Sequence, residues 1–530
     1  MHGARKTTGG LAYNEFLGVP FAKPPVGDLR WQNPVAPEPW QGVLETQEFG
    51  SRCTQVGDSD SSEDCLFVNV FVPGSVEDLV STNANLPVIA HVHGGGYVVG
   101  GSDIATSKIL ATNGKIIVVT ISYRLSTLGF LSTQSDAAPG NYGLYDQVAA
   151  LKWVRDNIAA FGGDPSRVTI MGQSAGSASV SHVSLSPVAK GLFQRVIALS
   201  GSAASYFAGT SHQRLTTSRL ADTYNCPMTS DEDVVECLKE KSAASLDLLG
   251  LAIPPLSDGY LCTQMPVVDG EMVSMLPIEA MEQGLNADYD LLTGGTTHDG
   301  ANFVLPFTFS PFVIELVVNF LMNAYENREE LVSLAFERYP GALSSDLDTR
   351  QRTMVKVATD FALTSRALKG VELHVKTSNR STYLYEFRHQ YSSTEPEWLQ
   401  GVHSEDLPFV FGDESLQGDD ARLSQVIQAY YSNFAYTGNP NEGPHAVPVE
   451  WTQFDPNTNN RLVESPEPYM EEIPEDLLED LEFWNHIYDI MIPRVDFPDT
   501  ESEYNLEMLA MWNILREEIE KAAENPQLKK

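Results

Sequence analysis

"VTIMGQSAGSASV", residues 168–180, sets a serine between two glycines where an apolar run gives way to small residues. Val168-Thr169-Ile170-Met171 has the length and β-branching of a strand covered on both faces. The small residues after Gly176 can open a helix. Outward from this turn, Leu144, Val148, Leu151, Val154 and Ile158 follow helical spacing, and Gly162-Gly163 stops them. Short apolar runs predict strands at Pro87–His93, Ile116–Tyr123, Val168–Gly172, Arg195–Ser200, Tyr289–Gly294 and Thr382–Phe387. Strand and helix alternate, so the fold class is α/β. From about 300 to 380, and again from 470, the pattern is mainly helical.

Gly-x-Ser-x-Gly on a strand-to-helix turn is the nucleophile-elbow pattern of α/β-hydrolases. The glycines are needed because the serine backbone is strained and neighbouring side chains would crowd the turn. The following helix aims its N–H groups and positive dipole end at the site. A serine hydroxyl is a weak nucleophile, so Ser174 needs a base, and an anionic intermediate needs donors. His93-Gly94-Gly95-Gly96 follows a predicted strand and can expose consecutive N–H groups. Those of Gly95 and Gly96, with that of Ala175, would form an oxyanion hole. Candidate bases after Ser174 include His298, His374, His389, His403, His445 and His486. Spacing does not choose among them, although "GVHSEDL" around His403 reads as a polar loop ahead of the apolar "PFVFG".

The chain has 530 residues, 42% hydrophobic and 20% charged, the balance of a globular protein. No apolar run is long enough to span a membrane, and "MHGARKTTGGLAYNEF" lacks the apolar core of a signal peptide. A net charge of −37 argues against nucleic acid and anionic membranes as partners. The acidic stretch 464–484 contains no Lys or Arg and reads as a solvated face. Among five cysteines, Cys53 with Cys65 and Cys226 with Cys237 make two close pairs, leaving Cys262 over. Neither pair has metal-ligand spacing. Two local disulfides in an oxidising compartment are expected, against the alternative of five reduced thiols. "SEYNLEMLAMWNILREEIEKAAE" near the C-terminus is an amphipathic helix carrying Leu506, Leu509, Trp512, Leu515 and Ile519. It offers a face for docking on the domain or for forming a homo-oligomer.

The chain resembles the type-B carboxylesterase family, which includes cholinesterases and juvenile hormone esterases, over nearly its whole length. The matching stretches are "FLGVPFAKPPVGDLRW" (16–31), "EDCLFVNVFVP" (63–73), "HVHGGGYVVG" (91–100) and "SYRLSTLGFLST" (122–133). "GNYGLYDQVAALKWVRDNIAAFGGDPSRVTIMGQSAG" (140–176) is the longest. "PVVDGEM" (266–272), "GGTTHDGANF" (294–303) and "GVHSEDLPFVFG" (401–412) complete the set. The resemblance implies one α/β-hydrolase domain over 1–496 with a large, mostly parallel sheet, followed by the amphipathic helix and acidic tail of 497–530. It implies Ser174 as nucleophile, His403 as base, and Asp299 as the acid, standing in "HDG" where the family usually has Glu-Gly. The donors fall again on Gly95, Gly96 and Ala175. Arg30 with Glu63, and Arg124 with Asp164, sit where the family forms internal salt bridges, and the two disulfide pairs match as well. The implied activity is ester hydrolysis through an acyl-enzyme, without cofactor or metal, in a secreted or secretory-pathway protein. Activity is expected to fall below about pH 6.5, the range of free imidazole.

Departures from the family speak to substrate. In cholinesterases the first disulfide loop is longer and holds the tryptophan that stacks on choline. Here it is "TQVGDSDSSED", with no aromatic residue to face a quaternary ammonium. Gln173 stands where cholinesterases resemble one another in carrying Glu, whereas "GQSAG" resembles juvenile hormone esterases. Uncharged, moderately hydrophobic small-molecule esters are therefore expected. Phe207 falls where the family's acyl pocket has an aromatic. Phe303, Phe307, Phe309 and Phe312 lie nearby in sequence, with core packing the expectation for most of them. Alternatives are a cholinesterase-like hydrolase, or an interfacial lipase using "PFTFSPFVIELVVNFLM" (306–322) as a lid, although core burial is the expected fate of that segment. A non-catalytic, neuroligin-like adhesion protein is the alternative of a different class; such members lose the nucleophile. Asn379-Arg380-Ser381 is a lone glycosylation sequon.

Overall fold

A computed structural model describes residues 1–210, 213–252, 264–305, 308, 310–322, 325–390 and 396–492. The predicted helix within 497–530, Phe307, Phe309 and Cys262 lie outside the described residues. The strands in chain order are β1 (Ala4–Thr8), β2 (Leu11–Pro20), β3 (Phe67–Pro73), β4 (Leu86–Val92), β5 (Ile117–Ile121) and β6 (Gly163–Gln173). They continue with β7 (Arg195–Leu199), β8 (Asp290–Thr296), β9 (Thr382–Phe387), β10 (Asn460–Glu464) and β11 (Tyr469–Glu472). All eleven form one sheet, in the order β1-β2-β3-β5-β4-β6-β7-β8-β9-β10-β11. Neighbours from β5 through β10 run parallel. The outer strands on both sides pair antiparallel.

The central strands are apolar on both faces because helices cover both. Val88, Ala90 and Val92 join one hydrophobic cluster with Leu144, Leu151 and Val154 of the helix Tyr142–Asn157. Ile89 and Val118 join another, with Leu423, Ile427 and Phe434 of the helix Gly418–Thr437. Each Val, Leu, Ile or Phe among these, fully buried, contributes roughly 1.5–3 kcal/mol. One polar exception is Asn69 on β3, whose Nδ2 donates to Ser102 O and to Thr120 Oγ1, both at 3.0 Å. Between residues 300 and 380 the structure is helical: Pro311–Leu321, Arg328–Arg338, Leu347–Ala358 and Ser365–Thr377. The first of these buries Val313, Ile314 and Val318, while Phe312 stays 54% exposed instead of packing in the core.

Strand ends position the site. Val92 of β4 pairs with Ile121 of β5 and with Gly172 of β6, so the carboxyl ends of the three strands are level. The chain passes from β4 outward to β5 on one side and returns on β4's other side as β6. A crevice opens at such a reversal, outside the carboxyl ends of the strands.

The described disulfides join Cys53 to Cys65 and Cys226 to Cys237. Arg30 makes a two-pronged pair with Glu63, at 2.7 and 2.6 Å, and also donates to the carbonyls of Lys239 and Lys241. Arg124 does not pair with Asp164. It binds Asp146 through Nε at 2.8 Å and Nη2 at 2.7 Å, while Asp164 accepts from Arg167 Nε at 3.0 Å. The reason is the strand direction. Arg124 follows the carboxyl end of β5, and Asp164 begins β6 at the opposite end of the sheet, roughly 25 Å away at about 3.3 Å per residue. Asn379 is exposed in the turn between the helix Ser365–Thr377 and β9.

Candidate active site

Ser174 sits between β6 and the helix Ala175–Leu185 with φ 59° and ψ −126°, a conformation that non-glycine residues avoid. Crowding explains its glycines. A Cβ on Gly172 would stand 2.1 Å from the Gly176 carbonyl oxygen, and one on Gly176 would stand 2.2 Å from that of Val92. Both neighbours are backbone atoms and cannot swing away. Ser174 N donates to Leu199 O at 2.9 Å, which ties the strained residue to β7. Among the described residues its Oγ has no hydrogen-bond partner.

The loop after β4 lies directly against this turn. A Cβ on Gly94 would meet Gln173 O at 2.6 Å and Ser174 Cβ at 3.0 Å. Gly95 and Gly96 have φ of 105° and 61°, values suited to glycine. Their N–H groups have no acceptor among the described residues, while Gly95 O receives Val98 N and Val99 N at 3.0 Å. Ala175 is the first residue of its helix, where an N–H has no intrahelical partner. Among the described residues, the N–H groups of Gly95, Gly96 and Ala175 are thus without acceptors, on two segments that meet at Gly94 and Ser174. The first disulfide loop braces this glycine loop: Gln55 Nε2 donates to Gly100 O at 2.8 Å, and Gly100 N donates to Gln55 Oε1 at 2.9 Å.

Asp299 and His403 come from segments far apart in sequence that meet across one backbone contact. His298 N donates to Gly401 O at 2.9 Å, and His298 bridges Val402 in parallel register. The next residue of each segment then faces the other, and His403 Nδ1 lies 2.5 Å from Asp299 Oδ1. The second Asp299 oxygen accepts Thr296 N at 3.1 Å, and the carboxylate is 1% exposed. Gly295 leaves room for it, since a Cβ there would stand 2.7 Å from Asp299 Oδ2. Burial acts to lower the His403 pKa. The charge and hydrogen bond of Asp299, with the Asp406 carboxyl adding, outweigh burial and hold it above the ordinary imidazole value.

Four of the other candidate histidines are engaged elsewhere. His298 Nδ1 contacts Gln400 O, His374 contacts Thr382 and Tyr289, His389 contacts Asp420, and His445 contacts Gly114. His486 is exposed. Phe303 packs its ring 5.0 Å from that of His403. Phe207 approaches Gly201, whose Cβ would stand 3.2 Å from the ring tip and 2.9 Å from Ser174 O. Gln173 is turned toward His403, its Nε2 3.3 Å from His403 Nε2. Asp406, to which the sequence reading of "GVHSEDLPFVFG" gave no role, is buried three positions after His403, and burial with the nearby Asp299 charge pushes its carboxyl up to about 7.

A model described as the carboxylesterase family matches residues 1–484. The chain is 34% identical over 482 residues to the medium-chain fatty acyl-CoA hydrolase precursor of Anas platyrhynchos, covering 83% of each chain. It is 33% identical over 519 residues to mouse neuroligin-3, covering 85% of this chain and 61% of that one. With mouse neuroligin-2 the identity is 34% over 509 residues, covering 85% and 60%. The chain thus spans about three fifths of the neuroligins' length. An eleven-stranded, mostly parallel sheet, a serine turn at the carboxyl end of β6 and a match running through most of the sequence agree: the chain belongs to the carboxylesterase family.

Proposed function

We propose that this protein is a serine hydrolase that cleaves carboxylic esters through an acyl-enzyme. The observation that carries this reading is the Asp299–His403 pair, at 2.5 Å, whose histidine contacts Gln173, the residue before a strained Ser174 with no hydroxyl partner among the described residues. In the proposed reaction neutral His403 takes the Ser174 proton at Nε2 as Oγ attacks the ester carbonyl. The oxyanion rests on the N–H groups of Gly95, Gly96 and Ala175. His403 then gives the proton to the leaving alcohol as the ester C–O bond breaks. Water repeats the sequence on the acyl-enzyme and releases the acid. Asp299 holds the tautomer and stabilises the imidazolium.

Uncharged, moderately hydrophobic esters suit this site. Gln173 adds no charge, the loop between Cys53 and Cys65 has no aromatic face for a cation, and Phe207 and Phe303 flank the reacting groups. The similarity to a medium-chain fatty acyl-CoA hydrolase favours acyl chains of intermediate length. We assign the catalytic domain to residues 1–496 and, from the two disulfides, the protein to the secretory pathway. Among the described residues no helix is long and apolar enough to cross a membrane. The similarity to neuroligins favours a second reading, a binding protein without turnover. Hydrolysis of a p-nitrophenyl ester series, acetate through long chain, separates the two. Turnover lost in Ser174→Ala, with an optimum at intermediate chain length, is expected. A folded wild type with no turnover on any chain length would favour the binding reading.

A further inference from the structure

The reacting nitrogen of His403 is already in use. Its Nδ1 faces Asp299 Oδ1 at 2.5 Å and carries the ring proton, which leaves Nε2 with a single in-plane lone pair. The group facing that lone pair is the Gln173 amide nitrogen, at 3.3 Å. Gln173 is 3% exposed, and its amide is confined. Its Oε1 lies so near Gly94 that a Cβ there would come within 2.9 Å of it. The amide therefore spans the gap between the oxyanion loop and the base, oxygen toward the glycines and N–H toward the histidine.

We propose that Gln173 is a positioning residue that caps His403 in the resting enzyme, its amide donating to Nε2 in competition with the Ser174 hydroxyl. The inference rests on the reading of Ser174 and His403 as nucleophile and base. One lone pair accepts one strong hydrogen bond, so Ser174 is fully activated only when the Gln173 N–H gives way. After proton transfer, Nε2 becomes a donor and the same amide N–H would oppose it. Gln173 then withdraws or turns its Oε1 to the imidazolium. A glutamate at this position could only accept, and would favour the charged base throughout. In the resting state the capped, neutral form of His403 is favoured by Gln173, while Asp299 and Asp406 favour the charged form.

Two variants test the cap, Gln173→Met, which keeps the volume and loses the donor, and Gln173→Glu. Two readouts apply. One is the phosphonylation rate of Ser174 by a small fluorophosphonate at a pH above the His403 midpoint of every variant, where the ring is neutral throughout. The other is the His403 titration midpoint, followed by the ¹³C shift of the ring and assigned with His403→Asn. Removing a donor to Nε2 is expected to raise the midpoint in Gln173→Met and to speed phosphonylation about 2- to 10-fold, the worth of one ordinary hydrogen bond. The midpoint in Gln173→Glu is expected to rise further. A lower midpoint in Gln173→Met would show that the amide accepts from the imidazolium, and an unchanged midpoint would show that Gln173 only packs; either overturns the proposal. If Gln173→Met fails to fold, Gln173→Glu carries the test, and a midpoint no higher than wild type overturns it. A wild type that does not label at Ser174 would defeat the functional reading instead, and the ring titration would still judge the contact between Gln173 and His403.

Discussion

Gly172→Ala isolates the crowding argument at the serine turn. The φ of Gly172 is not in the left-handed region, so a methyl group acts there through contact alone. Its Cβ would stand 2.1 Å from Gly176 O, 2.3 Å from Gly176 C and 2.8 Å from Ser177 N, where ordinary contact begins at 3.4 Å. The end of β6 and the first turn of the helix Ala175–Leu185 must therefore separate by about 1 Å. Ser174 lies between them and moves with one or the other. A displacement of that size at a reacting group costs about 100-fold in rate. Overpacking of this kind costs roughly 1–3 kcal/mol of stability. Gly370→Ala is the matched control: within the helix Ser365–Thr377 its nearest neighbour is Met281 Sδ at 3.4 Å. That change is expected to be neutral or to stabilise by about 0.5–1 kcal/mol. The assays are kcat/KM on p-nitrophenyl acetate and the urea midpoint for both variants. Gly172→Ala retaining kcat/KM within about threefold of wild type, with an unchanged midpoint, would refute the reasoning.

Three further outcomes are expected. Because Asp299 and Asp406 overcome burial and raise the His403 pKa, and the reaction needs the neutral ring, kcat/KM should fall with decreasing pH through a midpoint above 6.5. A pH–rate profile with its acid limb at or below that value would contradict the assigned base. Asp146→Asn strips the partner from Arg124, in a pair whose side chains are 3% and 0% exposed, and should cost about 3–5 kcal/mol by urea unfolding. A loss under about 1 kcal/mol would show that the ion pair does not pin this region. The Asp406 carboxyl, raised from 3.8 to about 7, favours the folded state most when protonated, so its contribution is full below pH 3.8 and is lost as pH rises through about 7. Asp406→Asn should therefore flatten the decline in melting temperature over that window, and a slope identical to wild type would contradict the buried-acid account.

The serine turn and the glycine loop were legible because glycine at a strand end is a local signal with a steric cause. The clashes at Gly172, Gly176 and Gly94 supply that cause. Central strands were legible from their apolar runs, and β9 at Thr382–Phe387 matches its predicted bounds. Edge strands were not. β1 carries the polar run "ARKTT" at one edge, and β11 at the other is four residues long with none buried. Spacing did not separate His403 from the other histidines; resemblance singled it out as the candidate base. What unites Asp299 with His403 is a tertiary contact, His298 to Gly401 and Val402, that local pattern does not carry. The misassigned partner of Arg124 has the same origin: Asp146 becomes its neighbour only once the helix Tyr142–Asn157 packs beneath the carboxyl end of β5. The turn of Gln173 toward the base depends on space left by Gly94, which is also invisible from the strand pattern.

Ser174 should become covalently acylated during turnover. Rapid acid quench during hydrolysis of a medium-chain p-nitrophenyl ester, followed by peptide mass spectrometry, tests it directly. One acyl group is expected on the peptide containing Ser174, absent in Ser174→Ala and discharged by water on longer incubation. Turnover without an acylated Ser174 peptide, or with the acyl group on another residue, would contradict it.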